Sequence, residues 1–115
     1  EYKLLVLLKR KENTTLGQFH EHILTTNAHY AAKTPGLIRN VSCFVRDRYY
    51  ADGAEPFFDY IGHFSTESLL GLKAMIASTY WQETMQADFL DIADPWIHAC
   101  MAVRSEWVIG PEARL

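Results

Sequence analysis

The chain has 115 residues, 49% apolar and 22% charged, which is room for one hydrophobic core and for no second domain. Eleven Lys and Arg against fourteen Asp and Glu leave a net charge of -3, a poor match to the phosphates of nucleic acid. No apolar run approaches the ~20 residues that span a bilayer, and no small-residue cleavage pattern follows Leu4 to Leu8. Residues 1–115 therefore read as a single cytoplasmic domain with no membrane or nucleic-acid partner.

Tyr2 to Lys9 is almost continuously apolar and β-favouring, which predicts a strand covered on both faces. Lys9-Arg10-Lys11 reads as its solvated end. Thr14 or Thr15 offers an N-cap hydroxyl and Pro35-Gly36 a stop, so one long helix is expected from Leu16 to Lys33. Leu37 to Arg48, rich in Val, Ile and Phe, reads as a second strand. Turn chemistry from Ala51 to Pro56 then precedes a third strand, Phe57 to Phe64. Ser65-Thr66-Glu67-Ser68 caps a second helical region whose apolar positions Leu69, Leu72, Met75 and Ile76 keep helical spacing. That region breaks near Ser78, resumes from Trp81 to Leu90 and is ended by Pro95, after which Ala99 to Ile109 forms the last strand.

This order predicts an α+β fold: a ferredoxin-like βαββαβ sandwich, with a four-stranded antiparallel sheet and both helices on one face. The strands are nonetheless apolar on both parities; in the last, Met101, Val103 and Trp107 alternate with Cys100, Ala102 and Val108. The simplest cover for the bare face is the same face of a second copy, so a homodimer is expected. Cys43 and Cys100 lack a C-x-x-C partner and read as two buried thiols.

Several residues bring a family into view: Leu7-Leu8-Lys9-Arg10-Lys11, Thr15-Leu16-Gly17-Gln18-Phe19, Pro35-Gly36-Leu37, Trp81-Gln82 and the terminal Glu106-Trp107-Val108-Ile109. Together they resemble the EthD family of dimeric α/β-barrel proteins over nearly the whole chain. The resemblance implies a dimer of ferredoxin-like units, each with a ligand pocket between helices and sheet. Relatives include cofactor-free lactone isomerases, aromatic polyketide cyclases and dehydratases, and quinone-forming monooxygenases. The chain departs from the family at two positions. The family's helical His, eight residues before the Pro of Pro-Gly-Leu, is here Asn27. Its Tyr five residues after that Pro is here Asn40.

On a helical wheel of the first helix, Leu16, Phe19, Ile23 and Tyr30 fall in one stripe, with Asn27 inside it and His20 at its edge. A buried amide needs a partner, so Asn27 is either a structural group bonded to the sheet or a pocket amide for a substrate oxygen. His22 and His29 project away and read as solvent-side. Asn40 sits among β-formers on the side of Ile38, Ser42 and Phe44, again as a pocket amide or a solvent-facing residue. His63, in the third strand, would supply a neutral imidazole near pH 7. His98 reads as peripheral.

No metal signature stands out, because His20 and His22 would point about 200° apart on a helix. Phosphate loops and nucleophile elbows are also missing from the sequence. The expectation is a cofactor-free enzyme that acts by proton transfer on a cyclic, oxygenated small molecule such as an aromatic polyketide or lactone: a cyclase, dehydratase or isomerase. Asn27 and Asn40 would hold the oxygen where charge develops, and His20 or His63 would move the proton. Phe19, Ile23, Tyr30, Phe44, Tyr60 and Trp81 would line the pocket. A cofactor-free oxygenase and a non-catalytic small-ligand-binding protein are the alternatives.

Overall fold

The structure, a computed structural model, describes residues 1–105 and, within 95–99, the backbone alone. Strand β1 spans Tyr2–Arg10, β2 Arg39–Phe44, β3 Tyr60–Thr66 and β4 Ala93–Arg104. They form one antiparallel sheet in the order β2-β3-β1-β4, with β1 and β3 in the middle. Two helical segments lie on one face, and the architecture is the ferredoxin-like α+β fold.

The first helical segment starts where the sequence places it. The Thr15 hydroxyl accepts the Gln18 backbone N–H at 3.1 Å and the Gln18 side chain accepts the Thr15 N–H at 2.9 Å, a complete capping box. Helix α1, Leu16–His22, passes through a π-helical turn, Ile23–Asn27, into α2, Ala28–Ala32. The second segment has the same grammar: α3, Leu69–Ala77, a π turn, Trp81–Met85, and α4, Gln86–Ile92. Ser78 makes the expected break, since its hydroxyl donates to the Met75 carbonyl at 2.7 Å and accepts the Trp81 N–H at 3.1 Å.

Several boundaries differ from expectation, β4 among them, which starts at Ala93 and not at Ala99. β2 leaves the sheet after Phe44, and residues Asp47–Gly53 form 3-10 turns broken at Ala51 and Asp52, with positive φ at Asp52 and Gly53. β3 starts at Tyr60 because the chain before it wraps an ion cluster: Asp59, fully buried, accepts from the Arg10 backbone at 2.7 Å and the Tyr50 hydroxyl at 2.7 Å. Its Oδ1 also lies 2.9 Å from the Arg10 guanidinium and 3.3 Å from the Lys9 ammonium. Lys9 and Arg10 are thus partners of a buried carboxylate, not a solvated end. Ser65 and Thr66 continue β3, and Ser68 is the cap that accepts the Gly71 N–H at 3.0 Å. Finally, helix α4 stops at Ile92, and Pro95 lies within β4, an edge strand whose register with β1 shifts between Leu8 and Arg10, the kind of place where a strand admits proline.

The alternation of β1 buries Leu4, Val6 and Leu8 beneath the helices, against Phe19, Ile23 and Met75. Phe64, Trp81 and Phe89 meet edge-to-face at centroid distances of 5.2 to 6.0 Å, which closes the core between sheet and second helical segment. Tyr60 folds its ring across the backbone at Gly62, where a Cβ would overlap the phenol oxygen and stand 2.8 Å from the Phe64 ring. The opposite sheet face carries Leu5, Leu7, Val41, Ile61 and Met101, with Val41, Ile61 and Met101 exposed at 44%, 37% and 52%. Cys43 and Cys100 are unpaired and exposed in the single chain, which corrects the expectation of two buried thiols. Trp107 and Val108, expected in the last strand, lie outside the described residues. None of the described helices is long and apolar enough to cross a membrane.

Candidate functional site

At the β2 edge of the helix-covered face, four rings meet. His20 lies against Phe44 at 4.4 Å between centroids, Phe44 against Tyr60 at 5.6 Å, and Phe19 against Tyr60 at 6.2 Å. The placement follows from two periodicities. Phe19 and His20 stand side by side at the buried edge of α1, while Phe44 and Tyr60 occupy paired positions on the inner sides of β2 and β3.

The polar groups of this box are unequal. His20 Nε2 is buried and has no hydrogen-bond partner, a state that costs about 1–3 kcal/mol if nothing offsets it. The Tyr60 hydroxyl lies 3.4 Å from the Ser42 hydroxyl, and burial pushes its pKa up to about 12. The phenol therefore stays protonated at neutral pH, where it can donate or accept a hydrogen bond. Outside the rings, a surface depression of about 410 Å³ is lined by His20, Phe44, Val45, Arg46, Asp47 and Arg48. The His20 ring in its wall and the Arg46 and Arg48 side chains beside it suit a ligand that carries or develops negative charge.

The other expected site residues are distributed differently. Asn40 shares the inner side of β2 with Ser42 and Phe44, and its amide donates to the His63 carbonyl at 3.1 Å. It lines a second depression, of about 250 Å³, beneath Ala28, Ala31 and Ala32 of α2. Asn27 is buried between the two helical segments and donates to Asp88 at 2.8 Å, a partner on α4 in place of the sheet. The His63 side chain projects to the opposite sheet face beside Leu5 and Val41, so it does not meet Asn27 or His20. Desolvation, with Lys3 adding repulsion, lowers its pKa and keeps it neutral at pH 7. Ile23 is core. The Tyr30 carbonyl accepts from the Tyr80 hydroxyl at 2.7 Å. Trp81 borders a third hollow, of about 160 Å³, walled by Val6, Leu8, Phe89, Leu90 and Cys100.

His22 is not solvent-side. Its Nε2 lies 2.7 Å from Asp88 Oδ1, so Asp88 joins His22 and Asn27 across the helix layer. No pattern within the first helix marks His22, because its partner is far along the chain. Asp88 did carry a signal: it falls beside Phe89, three residues after Met85, on the stripe that α4 buries.

No described protein family and no curated protein matches the chain. Solved structures match over nearly its whole length. An EthD family protein from Bacillus halodurans superposes with a TM-score of 0.72 at 18% identity, covering 91% of this chain and 98% of that one. The chain has the ferredoxin-like fold of the EthD proteins. A dimeric ferredoxin-like protein of unknown function from Jannaschia shares that fold with a TM-score of 0.61 at 14% identity, over 90% of this chain and 98% of its own. SnoaB, a cofactor-independent oxygenase from Streptomyces nogalater, does so with a TM-score of 0.62 at 10% identity, over 91% and 92%. Within this EthD-like fold, the His20 box lies between the first helix and the β2 edge of the sheet.

Proposed function

We propose that the chain is a cofactor-independent enzyme that moves a proton on a cyclic, oxygen-rich small molecule such as an aromatic polyketide or lactone, as a cyclase, dehydratase or isomerase. The observation that carries this reading is the unpartnered Nε2 of His20 inside the box of Phe19, Phe44 and Tyr60. A ring substrate entering from the rim would stack on Phe44 and present an acidic C–H or a hydroxyl to that nitrogen. The imidazole would take the proton, and Arg46 and Arg48 would favour the resulting enolate. Asn40 lies one strand repeat beyond Ser42 on the same side, where its carbonyl could orient a substrate hydroxyl. The working unit in this proposal is a homodimer in the cytoplasm, with the apolar outer sheet faces of two copies in contact.

Hydrogen–deuterium exchange at the acidic carbon of a β-keto lactone, followed by NMR, tests the proposal without knowledge of the final product. Wild-type protein should catalyse the exchange, and His20→Gln should slow it about 10²–10⁴-fold with the fold intact. Equal exchange by His20→Gln would overturn the reading. Binding of the lactone with no exchange in wild type would indicate a carrier instead. The fold shared with SnoaB supports an oxygenase as the second reading, which predicts dioxygen consumption with a hydroxylated aromatic substrate under the same conditions.

A further inference from the structure

We propose that His22, Asp88 and Asp91 form a site for one divalent transition-metal ion of the zinc type, which ties the first helix to α4. Three donor atoms, one from each side chain, lie within 4.8 Å of one another. They come from the two helical segments: His22 closes α1, while Asp88 and Asp91 stand three residues apart on one face of α4.

The state of Asp88 points to a cation. It is only 7% exposed, yet its two partners are the Asn27 amide and the His22 imidazole, neither of which carries a permanent charge. A buried carboxylate is costly unless a positive group compensates it. Two carboxylates and an imidazole thus converge from the two helical segments, a donor set that one divalent ion can bridge. One nitrogen and two oxygen donors suit Zn²⁺ better than Mg²⁺ or Ca²⁺, which favour oxygen alone.

The surroundings have the layout of a metal site. The Asn27 amide holds Asp88 Oδ2, which leaves Oδ1 turned to His22, as an outer hydrogen bond orients a metal-bound carboxylate. Donors on one tetrahedral zinc ion are about 3.3 Å apart given bond lengths near 2.0 Å, so the ion would replace the 2.7 Å hydrogen bond between His22 and Asp88, opening that pair by roughly 0.6 Å, and would draw in the widest pair by roughly 1.5 Å. Asp91 is exposed and free to supply that movement by rotamer change. The fourth position would open to water through a depression that Tyr30, Glu83 and Thr84 also border. The site lies on the α4 side of the first helix, and its existence does not rest on the His20 reading.

The test uses full-length protein freed of metal by chelator, titrated with Zn²⁺ by calorimetry and with Co²⁺ by visible absorption. One equivalent of Zn²⁺ should bind, and Co²⁺ should give the d–d bands of a four-coordinate ion. His22→Gln and Asp91→Asn, both near the surface, should each weaken Zn²⁺ binding by at least about tenfold, and Asn27→Leu by about 10–100-fold. His20→Gln should leave the affinity unchanged. Sub-stoichiometric binding, or equal affinity in the folded His22→Gln/Asp91→Asn double variant, would overturn the proposal. So would a preference for Mg²⁺ over Zn²⁺. Loss of the metal site with proton exchange retained would separate this proposal's failure from that of the enzyme reading.

Discussion

Asn27 Nδ2 donates to Asp88 Oδ2 at 2.8 Å, so the one amide on the buried stripe of the first helix is committed to a carboxylate on α4. The π turn that ends at Asn27 makes this reach possible, because its extra residue turns the side chain toward the neighbouring helix. Asn27→Leu removes the donor, fills a similar volume and leaves Asp88 short of a partner. The midpoint of thermal or urea unfolding should fall by the equivalent of about 1–3 kcal/mol. Unchanged stability would show that the pairing contributes nothing. Asn27→His should restore a donor at the same place and recover most of the loss.

Asp59 is the second buried carboxylate, and here permanent cations surround it. Asp59→Ala would strand the Arg10 guanidinium and Lys9 ammonium at the end of β1, and should cost about 3–5 kcal/mol in chemical denaturation. Desolvation and the hydrogen bond to Asp59 hold the Tyr50 phenol well above its ordinary pKa. A spectrophotometric titration of Tyr50 should accordingly shift downward in any Asp59 variant that still folds.

Gly62 is required by the Tyr60 ring. Gly62→Ala would force that ring out of the box, with a cost of about 1–3 kcal/mol from overpacking. Because Tyr60 packs on both Phe19 and Phe44, proton exchange should fall in the same variant. A stable, fully active Gly62→Ala would mean that the ring's position is immaterial.

The pH response of assembly follows from His63. Its pKa in the fold is depressed below 6.5, so its contribution to stability is present above that value and is lost as the pH falls through the lowered pKa. Burial of the outer sheet face in a dimer would deepen the desolvation. The dimer should therefore weaken on going from about pH 8 to about pH 5, measured by sedimentation velocity. His63→Gln should remove most of that dependence. Ile61→Glu, on the same face, should give a folded monomer at micromolar concentration.

The order of the elements, an N-cap hydroxyl at Thr14 or Thr15, the break at Ser78 and the two apolar sheet faces were all legible in local spacing. Each depends on spacing within a short window: period two in strands, 3.6 in helices, and a hydroxyl reaching its own first turn. Strand parity put Phe44 on the side of Asn40 and Ser42, and the helical stripe put Phe19 with Ile23, but their meeting with Tyr60 around His20 came only with packing. Only the tertiary structure decided which face His63 takes relative to the helices, since parity cannot say which side of a sheet the helices will cover. It alone decided the partners of Asn27, His22 and Lys9. Those contacts join residues 61, 66 and 50 positions apart, and such pairings exist only once the helices and strands have packed. The start of β3 shows the same division. Phe57 and Phe58 have strand propensity, but the buried charge of Asp59 and its cations draws that stretch out of the ladder, because compensating a desolvated carboxylate outweighs two more β-bonds.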